Sequence, residues 1–127
     1  MDIEGAGNAA FNAPFVVFEL IVLFAWIAAL ATLRWQRPCN WCRRASLALA
    51  IAEAAWPFVY NKGFPPADGI EKLGRLVYGA PLSLVNALLS CTWATLSFRL
   101  RTGRWTIPTP YVIAAVVGVI PWVGLLL

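Results

Sequence analysis

The sequence predicts an all-α integral membrane protein, a bundle of four transmembrane helices with both termini on the non-cytosolic side. Three observations carry this expectation. Of 127 residues, 61% are hydrophobic and only 13% charged, with a mean hydropathy of +0.71. A soluble domain of this size cannot hide so much apolar surface. The apolar residues fall into four runs between short charged stretches, and the length accommodates four helices of roughly 20 residues each. The basic residues are also unevenly placed: Arg34, Arg37, Arg43, Arg44, Arg99, Arg101 and Arg104 fall in loops one and three, against Lys62, Lys72 and Arg75 in loop two. Lys and Arg concentrate in cytosolic loops, which fixes the orientation. The net charge of +4 is explained in the same way and is not a nucleic-acid signal.

Residues 1–12 form a short polar and small-residue lead. With Asp2 and Glu4 it lacks the basic flank of a secretory leader, and the apolar run that follows has no small-residue cleavage site, so that run is expected to persist as a helix. The first segment is expected over about 13–33, with Glu19 its only charge, ending at the interfacial Arg34, Trp35 and Arg37 and a turn at Pro38. The second is expected over about 45–60, with Pro57 kinking or closing it. A loop over 61–76 carries Pro65, Pro66, Asp68, Glu71, Lys72 and Arg75. The third segment covers about 76–98 and the fourth about 108–127.

The second segment holds the chemistry. Glu53, Trp56 and Tyr60 are spaced i, i+3, i+7, so a helix stacks them on one face. An ionisable side chain inside a membrane segment is expensive and by default marks a functional site. The functional reading of Glu53 is a carboxylic acid that keeps its proton in apolar surroundings and donates it on demand. The plainer one is a protonated acid that hydrogen-bonds a neighbouring helix and only holds the bundle together. Glu19, about one and a half turns into its segment, is close enough to an end to reach the interface. In the third segment Ser83, Asn86, Ser90, Trp93 and Ser97 recur at three- and four-residue steps. In lipid such a polar stripe turns toward other helices. Trp26, Trp56 and Trp93 lie deep in their segments, whereas Trp35, Trp41 and Trp105 sit at segment ends as anchors. Deep indoles pack cores, and their faces also stabilise cations.

Other chemistries find little support. The chain has no His, which excludes a His-ligated zinc or haem, and it has no Asp-rich diphosphate–metal motif and no phosphate-cradling glycine loop. No metal or cofactor is expected. Cys39-Asn40-Trp41-Cys42 is a lone CxxC that resembles the motif of quinone-coupled thiol oxidases, but those enzymes need a second cysteine pair, and only Cys91 remains. An ordinary reduced pair in a basic loop is the plainer reading.

The stretch Ala55-Trp56-Pro57-Phe58-Val59-Tyr60 resembles a signature of the small membrane-bound terpene cyclases of fungal meroterpenoid and indole-diterpene pathways, where helix two carries Ala-Trp-Glu-x-Val-Tyr. Pro65 and the run Ile70-Glu71-Lys72-Leu73-Gly74 fall where that family has a Pro and a Val-Glu-Leu-Gly-like element, and Trp26 precedes Trp56 at the family's spacing. The likeness covers roughly residues 20–75. It departs at Pro57, where the family has its catalytic Glu, and in length, since those cyclases have seven helices. The resemblance implies acid-initiated cyclisation of a hydrophobic prenylated, epoxidised substrate. Glu53 would be the proton donor, Glu19 or Asn86 would orient it, and Trp26, Trp56, Tyr60 and Trp93 would face the cation. It implies a metal-independent isomerase or lyase of secondary metabolism, in the endoplasmic reticulum if the source is eukaryotic. The alternative is a non-enzymatic accessory or assembly subunit, working with a second membrane subunit or as a homo-oligomer, with Glu53 as structural glue.

Overall fold

The computed structural model describes residues 3–33, 40–63 and 69–127, with side chains from Pro14 onward. Arg34, Trp35, Arg37, Pro38, Cys39, Pro65, Pro66 and Asp68 lie outside the described residues, so of the CxxC pair only Cys42, in the first turn of the second helix, is described. The described residues form four helices: α1 (Ile3–Leu33), α2 (Asn40–Gly63), α3 (Gly69–Thr102) and α4 (Thr109–Leu126).

The helices outrun their apolar cores. α2 starts at Asn40 and continues past Pro57 to Gly63, and α3 takes up the second half of the expected loop, from Gly69 onward. Lys, Arg and Glu are good helix formers, so charges that end a hydrophobic run need not end a helix. At Pro57 the missing N–H did not stop α2; membrane helices tolerate Pro where neighbours re-satisfy the backbone. α3 does stop where the backbone demands it. Gly103 takes a left-handed φ of 77°, and its N–H closes on the Arg99 carbonyl at 2.8 Å, a glycine cap of the kind that terminates helices. Pro108 then precedes α4, its carbonyl accepting from the Tyr111 and Val112 N–H groups.

α1, α3 and α4 each contain a stretch long and apolar enough to cross a membrane, Pro14–Leu33, Gly69–Thr102 and Thr109–Leu126. α2, which includes Arg43, Arg44, Glu53 and Lys62, is not among them. α1 packs chiefly on α3 and α2 chiefly on α4, while α3 and α4 share a third broad contact. α3 is thus the central element of the bundle.

The distribution of polarity is inverted relative to a soluble protein. Glu19, Glu53, Ser83, Asn86, Ser90 and Ser97 are buried, whereas Ile21, Phe24, Val59, Leu88 and Val116 point outward. Such a surface suits a lipid surrounding, in which interior polar groups knit the helices and the exterior need only be apolar. Exposed Trp41 and Trp105 sit at the arginine-rich end, as interfacial indoles do. At the opposite end the buried Arg75 is held by the Asn61 Oδ1 at 3.1 Å and Glu71 at 3.4 Å, with its guanidinium 4.6 Å above the Tyr60 ring.

Candidate functional site: a buried pair of carboxyl groups beside an apolar cavity

The polar stripe of α3 turns inward, as its spacing predicts, and meets the two intramembrane acids. Asn86 and Ser83 sit three residues apart on one face of α3 and both reach Glu19 on α1. The Ser83 hydroxyl donates to Glu19 Oε1 at 3.2 Å, and the Asn86 amide donates to Oε2 at 2.6 Å and to the Glu19 main-chain carbonyl at 3.1 Å. Glu19 therefore does not reach an interface. It is fully buried, with donors on both carboxyl oxygens.

Glu53 on α2 completes the cluster. Its carboxyl group lies near that of Glu19 across the bundle, and neither of its oxygens has a hydrogen-bond partner among the described residues. Two acids can bond to each other only through a proton that one of them carries. Donors favour the ionised form of the group they serve. The donors that the geometry records, Ser83 and Asn86, both address Glu19.

The other side of Glu53 faces a cavity of about 150 Å³ between α2, α3 and α4, a size that admits a benzene-sized molecule. Its walls are mainly small residues: Ala50 and Ala54 of α2, Ala87 of α3, and Ala114 and Gly118 of α4. A methyl group at Gly118 would come within 3.5 Å of the Ala54 Cα. α2 and α4 thus approach closely here, and the alanines around the contact leave the void. The cavity reaches the outer surface at Leu84 and Val119, which are 52% and 42% exposed.

The expected aromatic residues stand elsewhere. Trp26 packs on Trp93 at 6.1 Å and Trp93 on Tyr111 at 6.3 Å, in a cluster toward the arginine-rich end. Trp56 stacks on Tyr60 at 6.4 Å and against Phe18 at 4.7 Å. None of Trp26, Trp56, Tyr60 and Trp93 lines the cavity at Glu53. The aromatic that does is Trp122 of α4, held edge-on by Phe15 at 5.5 Å. The sequence carried a signal for this wall: Ala50 and Ala54, Ala114 and Gly118 are small residues at i, i+4, the spacing of close helix contacts in membranes, and Trp122 follows Gly118 by one more turn. No protein-family model matches the chain, and no curated protein or solved structure is significantly similar to it.

Proposed function

We propose that this chain is a four-span membrane protein whose Glu53 is an intramembrane proton donor for a neutral, lipid-soluble substrate, in the manner of a terpene cyclase. The observation that carries this is the buried Glu53 carboxyl, without a hydrogen-bond partner among the described residues, beside Glu19 and lining an apolar cavity. α2 serves as the fourth span: its two arginines and Lys62 lie at its ends, and its middle packs on α4. The excess of arginine around loops one and three supports a cytosolic position for those loops, with both termini on the far side.

On this reading the cavity takes the reacting end of a prenylated chain, and the remainder extends past Leu84 and Val119 toward lipid. Glu53 transfers its proton to an epoxide oxygen, and the carbon–oxygen bond opens. The electron pair of a neighbouring alkene closes a carbon–carbon bond onto the cationic carbon. The final cation loses a proton, which returns to the Glu53 carboxylate, so the product is an isomer of the substrate. Ser83, Asn86 and Glu19 hold the acid in place, Trp122 faces the charge, and the dry walls keep water from quenching it. No metal or cofactor enters. Microsomes containing the chain, fed an epoxy-prenylated aromatic substrate, are expected to yield cyclised product by mass spectrometry. Glu53→Gln is expected to abolish it, and absence of product from the unaltered chain overturns the proposal.

A second function is favoured by one observation: Trp26, Trp56, Tyr60 and Trp93 pack away from the cavity at Glu53. Glu53 and Glu19 would then act only to tie α1, α2 and α3 together in an accessory or assembly subunit. Stoichiometric co-purification of a second membrane protein, with no product formed, supports that role.

A further inference from the structure

A second cleft lies at the arginine-rich end, remote from the carboxyl pair. It has a volume of about 470 Å³ and opens between the start of α2, the last turns of α3 and the start of α4. Arg43, Arg44 and Arg101 line its rim, and Trp93, Phe98 and Leu47 line its floor. Arg43 is half-buried and reaches Asn40 Oδ1 with one nitrogen, while its Nε is buried without an acceptor. Ser97 also lines the cleft. It is 5% exposed, and its hydroxyl has no partner among the described residues.

The sequence supplies no counter-charge for these arginines. The six acids are Asp2, Glu4, Glu19, Glu53, Asp68 and Glu71, so no carboxylate side chain occurs between Glu19 and Glu53 or after Glu71. No carboxylate lines the cleft among the described residues, so an external anion can balance it. Guanidinium groups match phosphate oxygens in geometry as well as charge, and a floor of indole, phenyl and leucine side chains suits an apolar tail.

We propose that this cleft binds a phosphate group carried on an apolar chain, with the phosphate among Arg43, Arg44, Arg101 and the Ser97 hydroxyl and the chain laid over Trp93 and Phe98. The site is independent of the acid at Glu53 and of the chemistry assigned to it.

Native mass spectrometry of the full chain in a neutral detergent tests this, with dioleoyl phosphatidic acid, dioleoyl phosphatidylcholine and inorganic phosphate as probes. Phosphatidic acid is expected to be retained and phosphatidylcholine released. Arg101→Gln, on an exposed side chain, and Ser97→Ala are each expected to weaken retention, the arginine change by about tenfold, the loss of one charge-assisted contact. Arg99→Gln is the control. That side chain is committed to the Gly103 carbonyl and the Trp105 ring, and retention is expected to be unchanged. Failure of inorganic phosphate to displace phosphatidic acid assigns the site to a lipid; displacement by millimolar-range phosphate overturns the role of the tail. Equal retention of the two lipids, or an equal effect of Arg99→Gln and Arg101→Gln, overturns the cleft and leaves only a generally basic membrane face.

Discussion

The Asn86 amide donates to Glu19 twice, to the side-chain Oε2 at 2.6 Å and to the main-chain carbonyl at 3.1 Å. One side chain of α3 thereby fixes both the position of α1 and the orientation of its buried acid. Asn86→Leu is expected to lower stability by about 1–3 kcal/mol, the cost of stripping donors from a buried carboxyl group. Asn86→Asp should be worse, because it sets a third acid against Glu19 and Glu53. Thermal denaturation of the purified chain in detergent ranks the two; Asp tolerated better than Leu would mean that Glu19 is not held as an acceptor.

Two glycines of α3 are expected to respond oppositely to the same change. A methyl group at Gly79 runs into the Trp122 indole, with Cζ3 and Cζ2 at 3.0 and 3.1 Å and Cη2 closer still. Trp122 is pinned in turn by Phe15. Gly79→Ala should therefore cost about 1–3 kcal/mol, as overpacking does, and should disturb the cavity wall. A methyl group at Gly74 meets nothing within 4 Å, so Gly74→Ala should be neutral or stabilising by up to about 1 kcal/mol through helix propensity. Comparison of their melting temperatures checks both.

At the same end Arg75 is a buried cation with a carboxylate partner, their side chains 1% and 11% exposed. Arg75→Ala leaves Glu71 without its buried partner and Tyr60 without the charge over its ring. It is expected to destabilise by about 3 kcal/mol or more. Arg75→Lys keeps the charge but cannot span Asn61 and Glu71 in the same plane, so it should fall between alanine and the original. If Ala and Lys melt alike, charge is not what holds this junction.

The orientation proposed for the bundle gives a further prediction. Lys62 and Arg104 are exposed residues at the two ends of the molecule, separated by α3. With Cys39, Cys42 and Cys91 changed to Ser, Arg104→Cys should be labelled by a membrane-impermeant maleimide only from the cytosolic side. Lys62→Cys should be labelled only from the opposite side. Labelling of both from one side would remove α3 as a span and the assigned orientation with it.

Much of this interior is legible in the sequence because periodicity survives in lipid. Ser83, Asn86, Ser90, Trp93 and Ser97 lie on one face by spacing, and all five are buried. Glu53 stands out as a lone charge in an apolar run. Spacing alone did not bring Glu19 to Glu53; only the family resemblance offered Glu19, or Asn86, as the group that orients the acid. Helical spacing gives the face of a residue but not its depth relative to residues on another helix, and α1 and α2 are brought into register by α3. Trp26, Trp56, Tyr60 and Trp93 stand away from the cavity at Glu53 for a related reason. Trp26 and Trp56 differ in depth along the bundle, so a shared sequence pattern sent them to separate clusters. The helix ends were misplaced because Arg43, Arg44, Lys72 and Arg75 end the apolar runs without ending the helices.

The proposed function gives the two carboxyl groups one proton between them, and its position is open to experiment. If Glu53 carries it and Glu19 is the acceptor, Gln at position 53 reproduces the hydrogen bond, because its amide donates toward Glu19 as the acid did. Glu53→Gln should therefore change stability by no more than about 0.5 kcal/mol, while any proton-transfer activity falls by about 10²-fold or more. Glu19→Gln removes the charged acceptor that Ser83, Asn86 and Glu53 all address, and should cost about 1–3 kcal/mol. The carboxylic-acid C=O band in the infrared should vanish in Glu53→Gln and persist in Glu19→Gln. The reverse pattern, with position 19 silent and the band lost there, would place the proton on Glu19 and leave Glu53 with nothing to donate to the cavity.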